Sequence, residues 1–382
     1  MEPFKNLLNP ALVQASAKRL AQAAGPTRHL FDARRFEALA LPGLEALEMK
    51  ARAMQIAAAL QATLPADFDR AAALIEASLA PPEGHAGMGE LRGVQQGLRG
   101  WILWPVGEFV ARAGLAHPQR ALAALHALTQ RFTAEFAIRP FIVTHPDLVW
   151  LTLKRWCSDD SAHVRRLVSE GSRPRLPWGL QLKSLISDPA PTLPLLRALQ
   201  DDPSDYVRRS VANHLNDIAK DHPALVCDWV GTYLLDAGTE RRALLRQASR
   251  TLIKAGHTPM LRHWGVGTPL RGTAALSLSA QRVSVGESFE ITLVLRSTAA
   301  RTQALAIDYA VHHVKADGSL SPKVFKGWQV ELPAHGEVVL TKRHSMKAVT
   351  TRRYFAGTHA LAVQVNGRIV AETGFELRAA KD

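Results

Sequence analysis

The chain has 382 residues, with 47 Lys and Arg against 34 Asp and Glu and a net charge of +13. That length allows two or three domains and a core that needs no disulfide or metal staple. Its two cysteines, Cys157 and Cys227, exclude a disulfide framework and an all-cysteine metal site, and no apolar run reaches the roughly 18 residues that span a bilayer.

The N-terminus, MEPFKNLLNP, lacks the layout of a signal peptide, so a soluble cytoplasmic protein is expected. Residues 1–268 carry +7 and residues 269–382 carry +6. An excess on that scale points to a polyanionic partner, nucleic acid before membrane, unless the surface is merely basic.

In chain order, apolar spacing predicts helices over 5–24, 44–63, 67–80, 88–114, 117–138, 145–157, 162–171, 178–187, 190–200, 204–219, 222–236 and 239–256. Short helices joined by short, Pro-bearing turns suggest a solenoid. A repeat supports this. HVRRLVSEG (163–171) and YVRRSVANH (206–214) superpose at a shift of 43 residues, each after turn acids, Asp159–Asp160 and Asp201–Asp202. A capping acid followed by a core-facing Val is the pattern of HEAT repeats. RRALLRQASRTL (241–252) and TQRFTAEFA (129–137) are weaker copies.

Aligning the copies maps Arg131 and Glu135 onto Arg166 and Glu170, and these onto Arg209 and Asn213. Residues four apart share one helix face, and equivalent faces of a solenoid line up. Glu135, Glu170, Asn213 and Asp217 are therefore expected in one groove, with arginines beside them. The alternative is a series of intrahelical Arg–Glu pairs on a solvated face, worth tenths of a kcal/mol each.

Gly265, Gly267, Pro269 and Gly272 mark a linker. It divides a helical domain, 1–268, from a second domain, 273–382. Strands are predicted there over 274–279, 282–285, 288–296, 304–314, 325–332 and 337–343, and as a hairpin over 359–377 turning at Asn366–Gly367. About seven short strands suit an immunoglobulin-like sandwich with Trp328 in its core. The expected fold is thus multidomain, α + β: an all-α HEAT-like solenoid followed by an all-β sandwich. Lys342, Arg343, Lys347, Arg352 and Arg353 form a basic cluster that binds phosphates or is a solvated loop.

Phosphate-cradling loops, a dinucleotide fingerprint and a nucleophile elbow are absent from the sequence. His312 and His313, adjacent on a strand, point to opposite faces and make a poor chelator. No cofactor is expected. Carboxylates, an aromatic and arginines on a helical groove remain.

RFTAEFAIRPF (131–141), HVRRLVSEGSRPRLPWG (163–179) and YVRRSVANHLNDIAKDHP (206–223) resemble the core blocks of the HEAT-repeat DNA alkylation repair glycosylases. The resemblance is to the AlkC type, which carries an immunoglobulin-like C-terminal domain. It is strongest from about 120 to 260. It implies a monofunctional N-glycosylase acting on cationic N-alkylated bases of duplex DNA: 3-methyladenine, 3-methylcytosine and 1-methyladenine. It implies contact with the deoxyribose of a base left in the stack. A solenoid that wraps DNA is expected to be a monomer, and neither a nucleotide cofactor nor a membrane partner is expected. The matching active-site residues are Glu135, Glu170, Trp178 and Asp217. Asp217 is the first choice to stabilise the sugar cation and orient water, with Glu135 and Glu170 adding negative potential and Trp178 packing on the sugar. Arg166, Arg208 and Arg209 are expected on flanking phosphates, and Arg173 and Arg175 at the DNA surface. Trp101, Trp104, Trp150 and Trp156 are expected to serve packing. The rival readings are a non-catalytic HEAT-repeat DNA-binding protein and a scaffold for protein partners; a scaffold would show no salt-dependent DNA affinity.

Overall fold

The computed structural model describes residues 3–25, 30–82, 96–349 and 352–379. Among these, sixteen α-helices precede eight strands. The helices are α1 (Pro10–Ala24), α2 (Ala33–Ala40), α3 (Met49–Thr63), α4 (Phe68–Ser78), α5 (Leu103–Ala113), α6 (Pro118–Thr129), α7 (Arg139–Thr144) and α8 (Pro146–Trp156). There follow α9 (Ala162–Gly171), α10 (Lys183–Ser187), α11 (Leu193–Leu199), α12 (Asp205–Ile218), α13 (Pro223–Leu234), α14 (Thr239–Ala248), α15 (Arg250–Lys254) and α16 (Thr258–His263). The chain forms two compact units. The first comprises residues 1–221 and 238–248, and the second 222–237 and 249–382. Helices α13, α15 and α16 thus group with the strands. No helix among the described residues is long and apolar enough to cross a membrane.

Local chemistry sets the helix limits. Proline opens α1, α6, α8 and α13, where its missing N–H costs nothing. Asn9, Asp32 and Asp67 cap α1, α2 and α4 by accepting a bond from a first-turn N–H. The expected helix 5–24 is consequently cut at Asn9–Pro10, and its start is a 3-10 turn, Phe4–Leu7. The expected helix 117–138 stops at Thr129 and 239–256 breaks at Ser249. Part of the expected helix 88–114, residues 88–95, lies outside the described residues. Helix α2, which no expected helix covered, buries Phe36 and Ala40.

The 43-residue repeat reappears as a repeat of hydrogen bonds. Asp159 Oδ1 accepts from Ser161 N and Asp202 Oδ1 from Ser204 N, both at 2.8 Å. Arg165 donates back to the Asp159 and Asp160 carbonyls, as Arg208 does to those of Asp202 and Pro203. Each aspartate also receives a side chain from the preceding copy: His126 on Asp159 at 2.7 Å and Arg165 on Asp202 at 2.6 Å. The turn acids therefore close Asx turns and bridge successive copies, rather than capping the helices directly.

The strands are β1 (Gly272–Leu278), β2 (Arg282–Ser284), β3 (Ser288–Ser297), β4 (Gln303–Val314), β5 (Leu320–Leu332), β6 (Glu337–Ser345), β7 (Gly357–Val365) and β8 (Arg368–Arg378). They form a three-stranded sheet, β1-β3-β6, and a five-stranded sheet, β2-β8-β7-β4-β5; only β2 and β8 pair in parallel. Alternate residues of facing strands, among them Phe289, Ile291, Leu293, Ile307, Tyr309, Leu361, Val363 and Phe375, meet in one core with Trp328 packed against it. At the β7–β8 turn Asn366 and Gly367 both take positive φ, 48° and 77°. That is the pair of angles a type I′ turn needs. Gly367 has a second reason to be glycine: a Cβ there would collide with the Gly256 carbonyl.

Three histidines are buried in this sandwich. His344 Nδ1 lies 3.1 Å from the Tyr309 hydroxyl, His359 Nε2 donates to the Phe355 carbonyl, and the His313 ring has no hydrogen-bond partner among the described residues. Burial pulls His313 down to about 3, with Arg352, His359, His344 and Lys323 adding to it. Burial also pulls His344 down to about 4 and lowers His359. Such groups stay neutral when folded but take protons near pH 6.5 when unfolded. Their contribution is therefore whole above about pH 6.5 and is lost as pH falls toward the folded values. Urea unfolding at pH 7 and pH 4.5 should show a loss on the order of a few kcal/mol, and His313→Phe should shrink that loss.

Candidate active site

The first unit brings three of the expected carboxylates together. Glu135 sits in the turn between α6 and α7, not on a helix, and Arg131 is not its partner: Arg131 donates to the Ala80 and Ala127 carbonyls. Glu170 is the penultimate residue of α9, and Asp217 the penultimate residue of α12. Helices α9 and α12 pack side by side, so their C-terminal ends lie together. A carboxylate near a helix C-terminus faces the negative end of the helix dipole. Both positions therefore need nearby cations, and both have them.

The cations form an alternating chain. Glu135 Oε2 accepts from the Thr133 hydroxyl at 2.6 Å and from Arg166 Nη1 at 2.7 Å. Arg166 Nη2 lies 3.7 Å from Glu170 Oε1, and its guanidinium covers the Tyr206 ring at 4.9 Å. Glu170 Oε1 accepts from Arg173 Nη1 at 2.6 Å and Oε2 from the Ser210 hydroxyl at 2.5 Å. Arg173 reaches on through Nε and Nη2 to Asp217 Oδ2, both at 2.9 Å, and Lys220 Nζ holds Asp217 Oδ1 at 2.8 Å. Asp217 is only 2% exposed. Burial alone would raise the Glu170 carboxyl; Arg166, Arg173 and the Ser210 hydroxyl overcome it and hold it below the usual range. Burial works against the Arg166 charge too, but Glu135 and Glu170 raise its affinity for the proton. Burial pulls His214 down to about 4, and its Nδ1 lies 2.9 Å from the Ser169 carbonyl, so the ring is neutral at neutral pH and is not an acid poised to donate.

Several arginines expected on phosphates are thus turned inward. Arg173 is buried and Arg166 half-buried between carboxylates, and Arg208 folds back on the turn that precedes α12. Arg175 is in a bidentate pair with Asp221 at 2.8 Å. Arg209 alone of this group is well exposed, with Asp205 3.0 Å away. Asn213 holds the position in α12 that Glu170 holds in α9, but its side chain accepts from Gln247 at 3.0 Å. In the second unit, Arg343, Lys347 and Arg353 are exposed and Arg352 is half-buried. Lys342 Nζ donates to the Lys326 carbonyl at 2.8 Å and lies 5.7 Å from the Trp328 ring centre.

Trp178 lies in the loop between α9 and α10, not at a helix start, since α10 begins only at Lys183. It is 58% exposed and has φ 65°, a left-handed conformation that a bulky residue adopts only under constraint. Its ring stacks on Trp104, centres 6.1 Å apart and planes 4° off parallel, and Phe4 lies 5.9 Å away. Lys50 donates to its carbonyl at 3.2 Å. Trp104 therefore supports this residue as well as the core, and Trp101 does so through Phe4. The backbone strain is separable from the ring: Trp178→Gly should be about 1 kcal/mol more stable than Trp178→Ala, because only alanine keeps a Cβ at positive φ. Thermal unfolding of the two variants measures that difference.

Thr133, Lys220 and Arg139 complete the site together with Ser210, and these first three were not singled out from the sequence. Arg139 had a signal, a cation inside the apolar run 136–142. Among the described residues no group of three potential metal ligands occurs.

Residues 272–379 match the family model of the C-terminal immunoglobulin-like domain of the uncharacterised protein YhaZ. YhaZ of Bacillus subtilis (strain 168) is 35% identical over 353 residues, 91% of this chain and 92% of its own. The Pseudomonas fluorescens alkylpurine DNA glycosylase AlkC, solved bound to DNA containing an abasic site analog, is 33% identical. Its structure superposes with a TM-score of 0.87 and covers 99% of this chain and 100% of its own.

Proposed function

Since the chain belongs to the AlkC-type family with a C-terminal immunoglobulin-like domain, which also contains YhaZ, we propose that it is an alkyl-DNA glycosylase. It hydrolyses the N-glycosidic bond of cationic alkylated bases in duplex DNA, 3-methyladenine, 3-methylcytosine and 1-methyladenine among them. It is monofunctional, acts as a monomer without a cofactor, and leaves the base in the stack. The observation that carries this reading is the gathering of Glu135, Glu170 and Asp217 into one buried network, with a strained, exposed Trp178 on the loop that follows α9.

An alkylated ring nitrogen makes the base a cation and a good leaving group, so no proton donor is required. The C1′–N bond breaks, its electron pair leaves with the base, and the base becomes neutral. Positive charge passes to the sugar as an oxocarbenium ion. Fixed carboxylates in a dry site stabilise charge that develops there. Asp217 takes that part, and it also accepts the proton from the water that adds to C1′. The products are an abasic deoxyribose, the neutral alkylated base and one proton. The exposed face of Trp178 offers a π surface whose attraction for the sugar grows with its charge. Arg175 and Arg209 of the first unit, and Lys342, Arg343, Lys347, Arg352 and Arg353 of the second, supply cations for phosphates. Arg166, Arg173 and Arg208 act instead by holding carboxylates or turns.

One observation favours a non-catalytic DNA-binding protein: every site carboxylate is paired with a cation, as in an inert structural network. Methylated duplex DNA incubated with the protein and analysed by chromatography separates the two. Release of 3-methyladenine or 3-methylcytosine supports the enzyme; salt-sensitive binding with no release supports the alternative.

A further inference from the structure

We propose that Arg139 is a positioning residue for Trp178, a latch that ties the loop carrying the ring to the end of α9. The inference rests on the glycosylase reading only in supposing that Trp178 works on the sugar. Arg139 is the first residue of α7 and is 0% exposed. Its Nε donates to the Leu180 carbonyl at 2.5 Å, and its Nη1 to the Gly171 carbonyl at 2.8 Å. One guanidinium thus joins the last residue of α9 to the far side of the loop 172–182. The loop lies directly on the arginine stem. A Cβ on Gly179 would sit 3.3 Å from Arg139 Nε, 3.4 Å from Cδ and 3.1 Å from Leu176 Cδ2. Gly171 likewise passes so close to Ile138, the residue before Arg139, that a Cβ would lie 2.6 Å from it.

Trp178 needs such a device. Its ring is largely in solvent, so burial does not fix it, and its backbone sits in a region tryptophan avoids. Strain of that kind persists only where surrounding bonds over-determine it. Lys50 donates to the Trp178 carbonyl at 3.2 Å and Leu182 N to the Pro174 carbonyl across the loop at 3.1 Å, and Arg139 adds the bond to the Leu180 carbonyl. The arginine is held in the core against its own solvation. Burial, and after it the Arg173 charge, pull its pKa down to about 10, and its Nη2 has no partner among the described residues. Glu135, Asp217 and Glu170 favour its charge.

The test is a double-mutant cycle on single-turnover base release. Arg139→Lys keeps a charge but cannot span both carbonyls. Gly179→Ala presses on the latch while leaving every buried polar group in place, so it covers the case in which Arg139→Lys fails to fold. Each should slow release by about 10-fold or more, with affinity for abasic-site duplex within about threefold of wild type. In a Trp178→Ala background each should slow it by less than about twofold. Equal losses in both backgrounds, or no loss in the wild-type background, would overturn the proposal. A second readout needs no activity. With 5-fluorotryptophan incorporated and the Trp178 resonance identified by Trp178→Phe, the ¹⁹F line should shift or broaden in both variants. An unchanged line sinks the latch even if wild-type protein releases base. A changed line in a protein that releases none sinks the glycosylase reading and leaves the latch.

Discussion

Asp217→Asn is expected to slow base release by about 10³-fold while leaving affinity for DNA unchanged or slightly tighter. The size follows from what the substitution removes. Asparagine keeps the shape of the side chain and an oxygen for Arg173, but it takes away a full negative charge from a residue that is 2% exposed. In so dry a place a carboxylate acts on a developing cation with little screening. The direction of the binding effect is the diagnostic part. DNA is a polyanion, so deleting an anion from the site relieves repulsion rather than creating it. A variant that binds abasic-site duplex normally and releases methylated bases about 10³-fold more slowly assigns Asp217 to the chemical step. Loss of binding and release together would place it in structure instead. Thermal unfolding accompanies the measurement, because the substitution also strips Lys220 of its partner at 2.8 Å.

The site was legible unevenly, and for physical reasons. Asp217 and Glu170 sit on long, strongly patterned helices whose repeat is visible at a fixed shift, and their proximity follows from that repeat. The sandwich follows from strict alternation and from Asn366–Gly367, whose backbone angles the residue types dictate. The arginines were not legible. Sequence spacing says which side of a helix a guanidinium leaves from, but a side chain that long reaches back to a turn carbonyl, as Arg208 does, or forward to the next copy, as Arg165 does. Helix ends were legible where the repeat fixes them, as at α9, expected over 162–171 and found there without a side-chain cap, but not at the end of α6, which neither a proline nor a capping side chain marks. Glu135 follows a helix that stops at Thr129 with no such mark, and so it was expected on a helix face it does not occupy. Trp178 was expected at a helix start because Pro177 precedes it; its left-handed backbone comes from long-range bonds that no local pattern encodes.

Arg173→Met should be the most destabilising single change at the site, about 3 kcal/mol at pH 7. The methionine approximates the stem but supplies no donors. Two buried carboxylates, Glu170 and Asp217, lose the cation that bridges them at 2.6 and 2.9 Å, and both lie near helix C-termini that already disfavour their charge. Arg166 and Lys220 remain, which keeps the loss near the lower end for a broken buried pair. The pH dependence identifies the cause. In the wild type Glu170 is held below its ordinary value, so its contribution is present above about pH 4.5 and is lost as pH falls through the depressed folded value. In the variant that carboxyl is buried with less cation around it, its folded value rises, and taking up a proton relieves the cost. The stability gap between the two proteins should therefore narrow as pH falls from 7 to 4. The acid loss from the sandwich histidines is common to both and cancels in the difference. A gap that stays constant with pH would mean that Arg173 contributes packing rather than charge, and the alternating ion chain would then be no more than an arrangement of side chains that happen to touch.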